Sequence, residues 1–480
     1  MPIRIGEENS DYLKGGLRMM VLVNTSMASF ISTFTSGFLS FAVPQVGRAF
    51  SLSLSEVMWV PLSFLIPLAS FMIFFGKLSD VYGRVNFFRI GFVVLATVSL
   101  LINFISNIYE LIVLIFVMGL SSAILAANST AIISTVYPRN IRGSALGINA
   151  MSVYLGYLLA PFIGGLLIQF YGWRSIFIVD LPVGIFGVLL SILTLRNLEI
   201  KRMGNSFDVI GSILFPSGLI LIVLYISISE VYNFISFIYL PVIGLIILLI
   251  FFINEKKKNN PLIDLSLFHN NRTFAASNLS AFFNYTSTFA IVFIFSIYLQ
   301  TILKFSSFDS GLVLASEPLF MVAVSPISGK LTDRYGSREI AALGMSLIGA
   351  SFIILFLFMT TSMLSIIVPL SMIGIGFGLF SAPNTYSVMG SVQRDNYGVA
   401  SGTLGTMRSL GQLSSISLAS FILASTLPRK LLLEMFSGYQ ISINIVYYNA
   451  FKNGFKSVML VFGILSLCGA FISLLKTKKS

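Results

Sequence analysis

The chain alternates between apolar runs of about 20 residues and short polar stretches that hold most of its Lys, Arg and Pro. A helix of about 20 residues crosses about 30 Å of hydrocarbon and satisfies its own backbone hydrogen bonds there. We therefore predict 14 transmembrane helices, near residues 19–44, 57–76, 87–106, 109–137, 143–171, 174–195, 208–228, 234–254, 274–303, 309–329, 339–358, 364–390, 398–424 and 455–475.

Two polar phrases repeat at matching places in this pattern. GKLSDVYGR begins at Gly76 and GKLTDRYGSR begins at Gly329, each after the second span of a block of six. GLSSAILAANS on span four is similar to GIGFGLFSAPN on span twelve. Two parallel six-helix halves are an arrangement that secondary transporters use to rock around a central site. We predict a first half at 1–200, two inserted helices and a connector at 201–272 that flank the halves, and a second half at 273–480.

Composition strengthens the membrane prediction. The 480 residues are 56% hydrophobic and only 10% charged, against about 25% charged in soluble domains. Most Lys and Arg residues fall on the inner side if both termini are cytoplasmic, which the positive-inside rule favours. The net charge of +12 then lies against the anionic inner leaflet, not against nucleic acid. The prediction is an all-α polytopic protein of the cell (plasma) membrane with both termini cytoplasmic.

The side chains that enzymes need are scarce. The single cysteine, Cys468, lies in the last predicted span, and the single histidine, His269, lies in a connector. No phosphate-binding loop, metal-ligand cluster or nucleophile constellation is found in the sequence. We expect no enzymatic activity, no cofactor and no metal. The expected partners are a small-molecule substrate, protons and the lipid bilayer, with the protein a monomer.

GKLSDVYGR resembles the motif between the second and third helices of the major facilitator superfamily, and the whole chain resembles its 14-helix drug:proton antiporters. In physical terms, Gly76 and Gly83 permit a tight turn, Asp80 can face the N-terminal dipole of a neighbouring helix, and Arg84 can pair with an acid. Such contacts can form a latch that stabilises one of two conformations. A solvated turn explains the basic residues but not the aspartates, which recur in both copies. The second copy supplies Gly329, Asp333 and Gly336.

The stretch LGYLLAPFIGG at 155–165 resembles a motif of the exporting branch of the superfamily. Gly156, Ala160 and Gly164 recur every four residues and line one helix face, while Pro161 permits a bend; Gly165 ends the motif. Close packing with a bend suits a gate between the halves, although ordinary small-residue packing explains the same pattern. The resemblance implies export of drugs or other amphipathic small molecules, driven by the proton gradient.

Two departures from the resemblance concern coupling. The antiporters usually carry an acid and an amide at the end of the first helix, where this chain has Thr35 and Ser40. They usually carry an arginine on the fourth helix, where this chain has Ile115. A nutrient or metabolite symporter of the same fold and a non-transporting membrane sensor therefore stay open as alternatives.

Ionisable residues inside spans are costly and are candidates for coupling. Glu317 and Arg408 have similar estimated depths, so we predict that they pair in one conformation and that Glu317 carries the coupling proton or a substrate cation. Asp180 is a further candidate, with a hydrogen bond to Trp173 and Arg174 as the alternative. Polar residues expected to line the cavity are Asn24, Thr35, Asn128, Asn284, Tyr285 and Asn384.

Overall fold

The computed structural model describes residues 15–50, 59–195, 208–229, 237–258, 261–262, 266–299, 303, 305, 307–358, 363–426 and 445–477. The first half is formed by α1 (Gly15–Ala49), α2 (Trp59–Tyr82), α3 (Arg84–Leu101), α4 (Ile108–Val136), α5 (Arg142–Tyr171) and α6 (Ser175–Thr194). The inserted pair is α7 (Val209–Ser229) and α8 (Tyr239–Glu255). The second half is formed by α9 (Ser266–His269), α10 (Arg272–Thr288), α11 (Ile291–Ile297), α12 (Ser307–Leu314), α13 (Ser316–Tyr335), α14 (Arg338–Phe358), α15 (Met363–Gly390), α16 (Tyr397–Thr426) and α17 (Ile445–Leu474).

Helix length and apolar content confirm the fold class. Within the described ranges, 10 helical segments are long and apolar enough to cross a membrane, and α7 and α8 are shorter apolar helices. The α10–α11 pair and α16 complete the 14 spans. The architecture is two six-helix halves with two inserted helices.

One end of the bundle carries both the start of α1 and the end of α17; we call it the terminal face. The hydroxyl of Tyr137, directly after α4, donates to the backbone oxygen of Arg18 on α1 at 2.9 Å. The hydroxyls of Thr273 and Thr477 hydrogen-bond at 2.6 Å and tie the start of α10 to the segment after α17. The turns between α2 and α3 and between α13 and α14 lie at this same end.

The apolar core is divided mainly between the two halves, and two helix pairs make the most extensive contacts between them. Phe34, Phe64 and Phe88 are among the fully buried side chains of the first half, and Phe352 and Phe462 are among those of the second. Between the halves, α5 packs on α13 and α2 packs on α16. The two interfaces are equivalent by the internal repeat.

Among the described residues, the inserted helices cover one of these interfaces. Helices α7 and α8 pack on each other, and α7 also contacts α2 and α16. The rings of Phe215 and Phe251 lie 5.2 Å apart and pack near Ile73 of α2. Lys258 pairs with Asp208 where the two helices meet. The α2–α16 seam is therefore shielded on its outer side by the inserted pair.

Spans nine and ten are interrupted, which the apolar pattern did not predict. Span nine breaks at Phe289 and Ala290, between α10 and α11, and the Ala290 amide donates to the Ser415 hydroxyl of α16 at 2.9 Å. Span ten breaks at Ala315, between α12 and α13. Interrupted helices inside a membrane protein are tolerated where neighbouring protein satisfies the freed backbone groups.

Candidate functional site

The first repeated phrase joins the halves at the terminal face. Asp80, on the last turn of α2, accepts hydrogen bonds from the backbone amides of Gly398 at 3.1 Å and Val399 at 3.0 Å. These amides belong to the first turn of α16, whose orphan N–H groups and positive dipole end attract an anion. The aspartate of the first half therefore caps a helix of the second half.

Arg84 extends this contact and is itself 1% exposed. Its Nε donates to Asp80 Oδ1 at 2.7 Å, one of its terminal nitrogens donates to Thr135 at 3.0 Å, and the other donates to the backbone oxygen of Arg394. The guanidinium also lies over the Tyr397 ring, 5.7 Å from its centroid. A buried charge with an anion and two oxygen acceptors is well paired, so the network holds as a unit.

The second repeated phrase makes the equivalent contact in the opposite direction, from the second half to the first. Asp333, near the end of α13, accepts hydrogen bonds from the backbone amides of Gly143 at 2.7 Å and Ser144 at 2.8 Å, in the first turn of α5. The Ser144 hydroxyl donates to the same carboxylate at 2.5 Å. Ser337 stands where the first copy has Arg84, and its hydroxyl accepts a hydrogen bond from Ser387 at 2.6 Å. The second contact therefore lacks the buried arginine.

The expectation that both glycines of the first phrase form a turn is wrong for one of them. Gly83 has φ 112° and Gly336 has φ 90°, a left-handed region that favours glycine. Gly76 lies inside α2, and a methyl group there would strike the backbone of Gly398. Gly329 meets the Gly143 backbone in the same way. These interior glycines let helices of opposite halves touch backbone to backbone.

The stripe of small residues on α5 packs within the first half, not between the halves. Gly156 lies against Phe30 and Thr33 of α1, Gly164 lies against Phe38, and Ala160 is fully buried beside Gly37. The surroundings of Pro161 and Gly165 lie outside what the structure describes. Another face of α5, through Gly143 and Gly147, makes the contact with α13. The expected gate contact at this stripe is thus replaced by α1 packing.

Glu317 and Arg408 do not pair in this conformation. The backbone of Glu317 lies against Gly374 of α15, whereas Arg408 donates to the hydroxyl of Thr385 on the same helix at 2.6 Å. Gly374 and Thr385 are 11 residues apart, which is about 16 Å along α15. Helical side chains lean toward the N-terminus of their helix, and α13 and α16 begin at opposite faces. The two side chains therefore lean away from each other, which the estimate of similar depths ignored.

Glu317 occupies an unusual place. It lies in the first turn of α13, directly after the break at Ala315, and is 4% exposed. Its Oε2 has no hydrogen-bond partner among the described residues. A carboxyl group at an interrupted span, with one oxygen unsatisfied, is suited to bind a proton or an incoming cation.

Arg408 belongs to a group that we call the central aromatic cluster. Its guanidinium lies 5.8 Å from the Tyr285 ring centroid, and Gln412, one turn further on α16, donates to the Tyr157 hydroxyl at 3.3 Å. The ring centroid of Phe377 lies 5.6 Å from that of Tyr154 and 5.2 Å from that of Tyr285. The cluster comprises Tyr154 and Tyr157 on α5, Tyr285 on α10, Phe377 on α15, and Arg408 and Gln412 on α16.

This cluster combines residues from both halves, because α5 comes from the first half and the other helices come from the second. The sequence pattern selected Tyr285 and Arg408 as candidates but did not assign the other four residues to a site. The signal for Gln412 was its spacing of one helical turn from Arg408. No pattern in the sequence indicates that α5 brings its tyrosines to the same place.

The four asparagines expected to line the cavity are all fully buried: Asn24, Asn128, Asn284 and Asn384. The Asn384 amide donates to the backbone oxygen of Ser277 at 3.1 Å and accepts from Lys476 at 2.8 Å, so it is occupied in this conformation. Neither polar atom of the Asn24 side chain has a described partner, which leaves this residue able to bond a ligand or water.

Asp180 bonds to Thr35, so the alternative of a bond to Trp173 and Arg174 is wrong. The Thr35 hydroxyl lies 3.1 Å from both carboxyl oxygens of Asp180, and both residues are fully buried. Arg174 instead stacks on Trp173, 4.4 Å from its ring centroid, and donates to the backbone oxygen of Ile105 at 3.2 Å. The carboxyl of α6 therefore sits against the first helix.

The family model of the Major Facilitator Superfamily matches residues 25–416. The chain belongs to the major facilitator superfamily. The riboflavin transporter RibZ of Clostridioides difficile is 32% identical over 90% of this chain and 94% of its own length. The multidrug resistance protein Stp of Mycobacterium tuberculosis is 25% identical over 86% of this chain and 77% of its own. The resemblance to the drug:proton antiporters is thereby confirmed at the level of the family.

A solved structure supports the superfamily fold independently. The proton:xylose symporter XylE aligns with a TM-score of 0.65 over 96% of this chain and 95% of its own, at 13% identity. These proteins are named as a riboflavin transporter, a multidrug resistance protein and a proton:xylose symporter. This chain is therefore a membrane transporter of the superfamily, and neither the matched family nor these neighbours are enzymes.

Proposed function

We propose that this protein exports ring-containing amphipathic molecules, drugs among them, across the cell membrane by alternating access coupled to protons. We take both termini to be cytoplasmic, as the positive-inside rule favours, so in this proposal the terminal face is the cytoplasmic face. The single observation that carries the proposal is the pair of contacts made by Asp80 and Asp333. They hold the halves together at that face, and each can form only while the face is closed.

The central aromatic cluster is the proposed substrate site. Aromatic faces and edges bind planar rings, and the guanidinium of Arg408 and the amide of Gln412 supply donors that orient oxygen or nitrogen acceptors. Residues from both halves contribute, so rocking of the halves alters the site. In the proposed cycle, Glu317 binds the coupling proton or a substrate cation.

A second candidate function is movement of a flavin or similar nutrient into the cell. The specific observation that favours it is the 32% identity to a protein named as a riboflavin transporter, over nearly the full length of both chains. A planar flavin ring also suits the central aromatic cluster.

Transport by purified protein in liposomes of known orientation tests both functions. Riboflavin and the planar cationic dye ethidium are supplied separately, with a pH gradient imposed in either direction or omitted. Export predicts dye movement away from the terminal-face side, driven by protons moving the other way. Riboflavin movement toward the terminal-face side supports the second candidate. Absence of movement and of exchange for both probes contradicts both.

A further inference from the structure

The Thr35 hydroxyl lies near two acceptors, the Ile31 backbone oxygen and the Asp180 carboxyl, but it carries only one hydrogen. The Thr35 hydroxyl lies 2.7 Å from the backbone oxygen of Ile31, one turn back on α1. Two oxygens at that distance need a hydrogen between them, so the threonine donates to Ile31. Its oxygen is left as an acceptor toward Asp180, where only a protonated carboxyl can donate.

The surroundings of Asp180 favour the same neutral form. Helix α6 packs on α3, α1 and α5. The described titratable or charged side chains of these helices are Arg18 on α1; Arg84 and Arg89 on α3; Arg142, Tyr154, Tyr157 and Tyr171 on α5. None of them forms an ion pair or hydrogen bond with Asp180 in the described part of the chain. An ionised carboxylate buried without a counter-charge is strongly unfavourable.

Helix α6 also has a place to bend beside this carboxyl. Pro182 lies two residues after Asp180 inside the helix and cannot donate the backbone hydrogen bond expected at its position. Asp180 itself lies only five residues after Ser175, where α6 begins at the end of the bundle opposite the terminal face. A small bend or shift against α1 can expose the carboxyl to water on that side.

We infer that Asp180 is a proton-binding site of the transport cycle, with Thr35 as the acceptor that holds the protonated form. In the conformation described, the carboxyl is neutral and donates to the Thr35 oxygen. When α1 and α6 separate at the end opposite the terminal face, the carboxyl meets water there and takes up its proton from that side. When the halves rearrange and the terminal face opens, the carboxyl loses its Thr35 acceptor and releases the proton toward the terminal face. This site is additional to Glu317, and the inference rests on the proposed proton-coupled transport.

Infrared spectroscopy of the full-length protein in liposomes detects the proton directly, without transport. We expect the C=O stretching band of a buried carboxylic acid at neutral pH in the parent protein. The band is lost in Asp180→Asn, and it shifts in Thr35→Val because the acceptor is removed while the shape is kept. A difference spectrum between the parent and Asp180→Asn that lacks this band overturns the inference.

Transport assays separate this inference from the proposed function. Asp180→Asn should lose gradient-driven accumulation while it keeps substrate exchange without a gradient. The swapped pair Thr35→Asp with Asp180→Thr returns an acid to the same contact and should restore part of the gradient response. If the parent exchanges no substrate, the proposed function fails, whereas the infrared result still decides the protonation of Asp180. Unchanged gradient-driven accumulation in Asp180→Asn, with normal exchange, overturns the inference.

Discussion

Asp80 and Asp333, at equivalent places in the two halves, each cap the first turn of a helix in the opposite half. The two contacts are reciprocal: α2 of the first half holds α16, and α13 of the second half holds α5. Since both lie at the terminal face, they close that face from two sides. The carboxylates bind main-chain amides, so the contact depends on helix position more than on neighbouring side chains.

Asp80→Asn should impair transport more than Asp333→Asn. Asn keeps the shape but removes the charge, and at Asp80 this also leaves the buried Arg84 without its anion. Breaking a buried ion pair from one side costs about 3–5 kcal/mol, whereas loss of a charged hydrogen bond costs about 1.5–3 kcal/mol. Transport rates and labelling of cysteines placed at the terminal face measure the difference. Equal effects of both variants, at equal expression, contradict the asymmetric network.

Gly398→Ala should weaken closure because its methyl group would strike the Gly76 backbone and the Asp80 carboxylate. The Gly76 backbone cannot move away from the added methyl group unless α2 separates from α16. Gly390→Ala is the matched control, since a methyl group there meets nothing within 4 Å. We expect greater labelling of terminal-face cysteines in Gly398→Ala and parent-like labelling in Gly390→Ala. Parent-like labelling in both variants would show that closure of the terminal face does not depend on the close approach of α2 and α16 at Gly398.

Glu317→Gln should abolish pH-gradient-driven transport while binding of neutral substrates is retained. Gln keeps the size and hydrogen-bonding ability of the side chain but cannot titrate. Substrate uptake with and without a pH gradient, together with equilibrium binding of riboflavin, measures the two effects. A Gln variant with full gradient-driven transport would assign Glu317 a structural role at the break in span ten.

Lys476 should make the docking of the segment after α17 depend on pH. Burial lowers the pKa of Lys476 to about 7, whereas an exposed lysine has a pKa of about 10.4. Between those values the undocked form binds a proton that the docked form lacks, so docking strengthens as pH rises, by at most about 1.4 kcal/mol per unit. Below about pH 7 both forms are protonated and the dependence ends.

Thermal unfolding in detergent at several pH values tests this dependence. The unfolding temperature of the parent should rise from pH 7 to pH 9 relative to that of Lys476→Met. The Lys476 nitrogen lies 5.8 Å from the centroid of the Phe380 ring, and methionine places an unbranched side chain at the same position but cannot titrate. Parallel curves for the two proteins would show that the buried amine does not control docking.

Cysteines placed along α7 and α8 should not be protected by substrate. These helices pack on the outside of the α2–α16 seam, away from the central aromatic cluster. Cysteines at Tyr157 on α5 and Gln412 on α16 are the matched positive controls, and we expect substrate to slow their labelling. Protection along α7 or α8 comparable to these controls would place the inserted pair on the transport path.

The spans and the two halves could be predicted from the sequence because hydrocarbon thickness fixes helix length and the repeated phrases mark equivalent positions. The partners of those phrases were harder to name, since backbone amides of a first turn leave no signature. Thr35 and Asp180 lie 145 residues apart, and apolar periodicity does not indicate which helices face each other. The depth estimate for Glu317 and Arg408 failed because it placed Cα atoms and ignored the lean of their side chains.

The two helix breaks differ in how clearly the sequence indicates them. Pro318 lies three residues after the break at Ala315, where proline suits the first turn of a new helix. The break after Thr288 has no proline or glycine. Its signal is a run of hydroxyls, in which Thr286, Ser287 and Thr288 donate to backbone oxygens one turn back. Such bonds compete with regular helix geometry and bend it.

Gly76 against Gly398 and Gly143 against Gly329 bring main chain onto main chain at the terminal face, which leaves no width for a file of water between the helices. Water files conduct protons whether or not a substrate moves. A cell whose membrane potential is built from protons would lose energy through every copy of a transporter with a hydrated seam. The glycine crossings therefore block a proton leak along the seam when the transporter is not moving substrate.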